Sequence, residues 1–316
     1  MRQSNDKIVV FIHIPKAAGS TVVDILKRQY SPQCCYRFRL QKDEKFKTPE
    51  ERQAYKEAPI NKKLFVTEPT VAKLQQDWFR QENLKVLTGH YGYGIHEQIS
   101  RPANYFTILR EPIKRAISQY NYVVERRHLH KRFSPPRSLR EYADQNITID
   151  NLQTRMLAGE GGLPFQVGFG ECNEEMFHKA KENLVNGMGV PGITERFDET
   201  ILLLKHLLGW TGFPYYRKVN VTSKKPEVRR FPKADIDYIK AFNEYDLMLY
   251  EFALALFNQK IRELGSGFQR ELKLFKALNQ PCGYLLERQS QFTSSYAEIS
   301  KQIRKHPMVR PWLKFI

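Results

Sequence analysis

Residues 8–14 read IVVFIHI, a continuous, mostly β-branched apolar run that leads straight into PKAAGST and then VVDILKRQY. A run with no polar alternation suits a strand covered on both faces, and such strands belong to parallel sheets. Parallel strands need a crossover, and the following segment supplies one. Its Val22, Ile25, Leu26 and Gln29 fall on one face of a helix. The first thirty residues therefore predict a strand–loop–helix unit within a parallel sheet.

The rest of the chain repeats this grammar. Strands are expected at 85–88, before GHYGYG, and at 105–109, before REP and a helix. In that helix Ile113, Ile117, Tyr120 and Val124 form one stripe, and Pro112 suits its first turn. A fourth strand is expected within 188–193. It precedes ERFDETILLLKHLLG, where Gly209 reads as a helix stop. Residues 31–83 are mixed and charged and read as a helical, solvated excursion. Helices are expected over 232–243, 246–263 and parts of 267–316. The fold class is α/β, a parallel sheet flanked by helices, with helical insertions and a helical C-terminal extension. The division expected is a main domain over 1–265 and the extension over 266–316.

Charge and cysteine content restrict the chemistry. The 51 Lys+Arg against 34 Asp+Glu give a net charge of +17, which favours anionic partners. Four cysteines without a CxxC pair suit neither a disulfide scaffold nor structural zinc, so no metal is expected. No apolar run reaches the roughly 18 residues needed to span a bilayer. Residues 8–14 lack a cleavage site, and the expectation is a cytoplasmic protein.

PKAAGST is the first chemical feature. A Gly/Ser-rich turn between a buried strand and a helix start collects unpaired N–H groups and the positive helix end, and so attracts anions. Lys16 adds a point charge, Gly19 permits close approach, and Ser20 and Thr21 add hydroxyls. An ordinary strand–helix turn that carries a lysine is the plainer alternative. No Gly-Lys pair occurs in the chain, so a Walker A loop is absent. The second feature is LREPIKRAISQY. Arg110 ends a strand, where ligands bind in open α/β sheets, and Ser118 lies two turns into the next helix. Arginine offers a planar fork suited to phosphate, although pairing with Glu111 or Glu195 would also occupy it. Together the two segments describe a site for a ligand with two separated phosphates.

These residues carry a resemblance. FIHIPKAAGST resembles the 5′-phosphosulfate-binding loop of carbohydrate sulfotransferases, and ILREPIKRAISQY resembles their 3′-phosphate segment. TGHYGYG, NLQTRMLAG, ITERFDETILLL and NEYDLMLYEF fit the same broad family, which includes heparan sulfate 2-O- and 6-O-sulfotransferases and bacterial relatives. The departure is Ala17–Ala18, where the family has TG or GG. The resemblance implies a P-loop-kinase-like sheet and the donor 3′-phosphoadenosine-5′-phosphosulfate. It implies that Lys16, Ala17, Ala18, Gly19, Ser20 and Thr21 hold the phosphosulfate, and that Arg110 and Ser118 hold the 3′-phosphate. Lys16 and His90 would be the catalytic pair, with His90 as base for the acceptor hydroxyl and His96 as runner-up. A histidine that merely caps its turn is the alternative for His90. His13 reads as buried structure. The expected partner is a carbohydrate, polymeric or lipid-linked, and the setting is bacterial.

Several features carry less. GMGVPG matches GxGxxG but has Pro191 where a helix should open. Asp235 and Asp237 suit a helix start. His128 and His130 sit among cations, which disfavours a metal. Residues 126–140 hold Arg126, Arg127, Lys131, Arg132, Arg137 and Arg140 with no acid, and residues 217–233 hold seven cations against Glu227. They read as solvated charge or as guides for an anionic acceptor, and part of the second group resembles a nucleotide-covering loop. Peripheral contact with a membrane surface is one role open to 267–316. No nucleic-acid-reading motif is present. The alternatives to a sulfotransferase are a nucleotide-dependent kinase and a non-catalytic polyanion-binding protein.

Overall fold

The computed structural model describes residues 7–37, 83–99, 101–125, 138–144, 147–165, 167–217 and 230–289. Strand β1 (Ile8–Ile12) lies at the centre of a five-stranded, all-parallel sheet with order β2-β3-β1-β4-β5. Its partners are β3 (Val86–Gly89) on one side and β4 (Ala103–Leu109) on the other. The edges are β2 (Cys35–Arg37) and β5 (Gly192–Ile193).

The unalternating apolar run has a direct cause. Ile8, Val10 and Ile12 enter one core with Leu87, Leu109, Leu157 and Phe257. Val9 and Phe11 enter the other with Val22, Ile25, Leu26, Ile201 and Leu204. Both faces of β1 are thus covered, and each fully buried aliphatic side chain contributes about 1.5–3 kcal/mol.

Helix α1 (Gly19–Tyr30) follows β1, and α2 (Pro112–Glu125) follows β4. The remaining helices are α3 (Leu139–Asp144), α4 (Leu152–Leu157), α5 (Glu174–Glu182), α6 (Phe197–Leu208), α7 (Lys233–Ala241) and α8 (Glu244–Gln289). Gly209 ends α6 in a left-handed conformation (φ 65°), as its sequence position predicts. The last helix is interrupted at Gly265 (φ 65°, ψ −159°). Beyond it, Phe268, Leu272, Phe275 and Leu278 are buried, and Tyr216 N donates to Asn279 Oδ1 at 2.8 Å.

Two expectations change. The strand expected over 188–193 is confined to Gly192–Ile193. Met188 ends a six-residue π-helix (Asn183–Met188), Gly189 takes positive φ (74°), and Pro191 has no N–H to pair. The charged segment opens with a strand, β2, which the helical reading of 31–83 did not include. Three residues are too short for a period to show.

The sheet order places a switch point. The path from β1 moves outward through β2 and returns to β3, then crosses β1 to reach β4 and continues to β5. Chains therefore leave the carboxyl ends of β1 and β4 in opposite directions, which opens a crevice between them.

Candidate active site

The loop after β1 lines one wall of that crevice. Lys16 and Ala18 both hold left-handed backbone, with φ 69° and 60°. That conformation costs a residue with a side chain roughly 1–2 kcal/mol. The amides of Ala18, Gly19 and Ser20 donate to no acceptor among the described residues. Three unpaired donors at the start of a twelve-residue helix form a site for an anion. Ala17 is buried and supports the loop from below, and Thr21 is buried within the first turn of α1. Ala18→Gly removes the cost of the Cβ at φ 60° but loosens the unfolded chain, so a net gain of about 0.5–1 kcal/mol is expected. A denaturant midpoint measures it, and a loss of stability would show that the loop is not left-handed at this position.

The opposite wall begins at Arg110, directly after β4. Its Nη1 donates to Lys16 O at 2.9 Å, tying the end of β4 to the loop after β1. Its Nε is buried and has no partner among the described residues. The guanidinium is thus held at the loop and not in a surface ion pair with Glu111 or Glu195. Glu111 instead accepts from Ile113 N and Lys114 N at the start of α2 (3.1 and 2.8 Å). Lys16 Nζ lies 4.2 Å from the Tyr122 ring centroid. Ser118 precedes Tyr122 by one turn of α2, so this contact sets the Ser118 side of the helix toward the loop. Ser118 itself is buried.

The sequence reading missed what holds Arg110 in place. Gln153 Oε1 accepts from Arg110 N and Gln153 Nε2 donates to Arg110 O, both at 2.9 Å. Gln153 is fully buried on α4. The start of α4 is in turn capped by Asp246 of α8. Its Oδ2 accepts from Gln153 N (3.1 Å), and its Oδ1 accepts from Thr154 N (2.7 Å) and Thr154 Oγ1 (2.9 Å). Burial raises the Asp246 carboxyl, while the charge of buried Arg115 and these donors pull it down. NLQTRMLAG and NEYDLMLYEF were the signal for this chain of contacts, but neither pattern reveals which strand end it serves.

His90 follows β3, on the other side of β1. Its Nδ1 lies 2.6 Å from His13 O. A carbonyl only accepts, so Nδ1 carries the hydrogen and Nε2 holds the lone pair. Burial pushes the imidazole down to about 4, with the His13 carbonyl acting the other way and the Arg37 charge adding to the fall. His90 is therefore neutral near pH 7, with its lone pair on Nε2. The glycine-rich continuation is anchored backbone to backbone: Gly92 N donates to Gly162 O (2.6 Å), and Gly162 N to Tyr93 O (3.0 Å). A Cβ on Gly159 would lie 2.8 Å from Gly92 Cα, which explains a glycine there. His96 is tied elsewhere. Its N and Nδ1 lie 3.0 and 2.9 Å from the Tyr105 hydroxyl, toward the amino end of β4.

The weaker patterns settle into structural roles. Gly187 lies in the π-helix, where a Cβ would meet the Tyr93 hydroxyl at 2.3 Å. Asp235 and Asp237 lie within α7. Arg126, Arg127, His128, His130, Lys131, Arg132 and Arg137 fall outside the described residues, as does NVTSKKP. Among the described residues no helix is long and apolar enough to cross a membrane.

A loop of unpaired amides after β1, an arginine after β4 and a histidine after β3 thus gather on one edge of a parallel sheet, an arrangement suited to an anionic ligand. The family model described as galactose-3-O-sulfotransferase matches residues 2–313. The chain belongs to the galactose-3-O-sulfotransferase family, whose members transfer a sulfuryl group to a carbohydrate. No curated protein matches it.

Proposed function

We propose that the chain moves a sulfuryl group from 3′-phosphoadenosine-5′-phosphosulfate to a carbohydrate hydroxyl, with galactose as the first acceptor to test. The observation that carries this reading is the set of three unpaired amides beside the tethered Arg110, inside the span of the family match. The residues fit a nucleotide with two separated phosphates. Ala18, Gly19 and Ser20 offer N–H donors, and Lys16 and Thr21 stand beside them. Arg110 brings a guanidinium with a spare buried donor, and Ser118 brings a hydroxyl. When bound, the donor supplies an activated sulfur ester.

In this account the acceptor oxygen forms a bond to sulfur as the bond between sulfur and the bridging phosphate oxygen breaks. His90 Nε2 takes the hydroxyl proton, and the electron pair of the broken bond stays on the leaving 5′-phosphate. The loop amides and Lys16 stabilise that charge. His90 is a weak base alone, but negative charge placed next to it raises its proton affinity. The motif resemblance to heparan sulfate 2-O- and 6-O-enzymes makes an anionic glycan the second acceptor class.

Arg110→Ala tests the site. Calorimetry should show affinity for adenosine 3′,5′-bisphosphate reduced by about 1.5–3 kcal/mol, the worth of a charge-assisted contact. Adenosine 5′-phosphate, which lacks the 3′-phosphate, should bind almost as before. Equal weakening of both ligands would remove Arg110 from the 3′-phosphate site.

A further inference from the structure

Among the described residues, His13 is the one buried histidine that the reaction outlined above does not use, and it touches both halves of the site. It is 5% exposed. Its ring stacks 5.6 Å from that of Phe11 and lies 4.4 Å from that of His90. A Cβ built on Gly19 would stand 1.9 Å from His13 Cδ2 and 2.1 Å from Nε2, so the ring fills the space that makes residue 19 a glycine. The same residue's carbonyl holds His90 Nδ1. Packing alone does not account for an imidazole here. Nδ1 is buried with no partner among the described residues, and so is Thr88 Oγ1 on the adjacent strand, where Thr88 pairs in register with Phe11. An apolar ring would fill the space without an orphaned nitrogen.

We propose that His13 is a positioning residue that couples the donor loop to the base, as a wedge between Gly19 and His90. The proposal rests on the reading of His90 as base. Displacement of the first turn of α1 presses on the His13 ring, and the carbonyl of His13 carries that movement to His90. The ring also covers one side of the His90 imidazole. The charged and titratable groups around the pair are Arg37 from β2 and Lys16 from the donor loop. Both act on His13, and Arg37 acts on His90 as well.

The test measures kcat against pH, with nucleotide affinity by calorimetry, for His13→Ala, Gly19→Ala and the double variant. Removing the ring hydrates His90, so the acid limb of kcat in His13→Ala should move up by about one pH unit or more toward the ordinary histidine value near 6.5. Gly19→Ala alters neither histidine but presses on the wedge. It should weaken adenosine 3′,5′-bisphosphate by roughly tenfold and also shift the acid limb, and adding His13→Ala should restore most of the affinity. If His13→Ala does not fold, the Gly19→Ala limb decides alone. An acid limb unmoved in either folded variant, with His90→Ala still inactive, would reduce His13 to packing and overturn the proposal. Full turnover in His90→Ala would instead defeat the base assignment, and the proposal would fall with it.

Discussion

His90→Ala is expected to lower turnover by roughly 10²–10⁴, the usual worth of a positioned general base. Affinity for adenosine 3′,5′-bisphosphate should stay nearly unchanged, because His90 lies after β3 whereas the segments proposed to hold the phosphates follow β1 and β4. The split between kcat and affinity distinguishes a base from a residue that supports the fold. His90 Nδ1 is committed to His13 O, so the lost function is that of Nε2. His90→Gln keeps a donor for that carbonyl and should be as inactive as alanine. Lys16→Ala should differ by lowering both affinity and turnover, since its charge meets the nucleotide before and during transfer. Measuring kcat beside calorimetric affinity for each variant checks the assignment. Activity retained in His90→Ala would mean that another group accepts the proton.

The second large effect lies away from the reacting atoms. Asp246→Ala should destabilise the protein by at least about 1–3 kcal/mol, because it leaves the buried donors of Gln153 and Thr154 without their acceptor and uncaps α4. Against the roughly 5–15 kcal/mol of stability typical of a domain, that is a large share. Asp246→Asn retains one acceptor oxygen for Thr154 N and should lose less. Because Gln153 sits on the helix that Asp246 caps, the folded fraction of either variant should also bind adenosine 3′,5′-bisphosphate more weakly than the wild type. Urea midpoints with the nucleotide absent and present measure both effects. An unfolding free energy within about 0.5 kcal/mol of wild type would show that the network carries little load.

Much of the site lay open in the linear chain because parallel sheets gather strand ends on one edge. Once 8–14, 85–88 and 105–109 read as parallel strands, PKAAGST, His90 and Arg110 were bound to meet there. What the sequence hid depends on long-range partners. Gln153 clips Arg110 from 43 positions away and Asp246 caps Gln153 from 93, separations at which no local period gives a signal. Gly19 was legible as a glycine of close approach, but the group that approaches is the His13 ring and not only a ligand. His13 was legible as buried, although it lies just past the end of β1 and not within it. Strand β2 escaped because three residues ahead of a charged stretch set no period. The end of its short run brings Arg37 beside the two histidines, a charge that the reading of motifs did not anticipate.

Transfer of sulfate to sugar at this sheet edge can be assayed outright. The most direct measurement incubates the full chain with radiolabelled 3′-phosphoadenosine-5′-phosphosulfate and a panel of terminal galactosides and anionic glycans, then separates the products. Label is expected in a carbohydrate product, reduced to background by Lys16→Ala and cut at least about a hundredfold by His90→Ala. Label that reaches none of the carbohydrates, or a γ-phosphate that moves from ATP to the same acceptors instead, would contradict it.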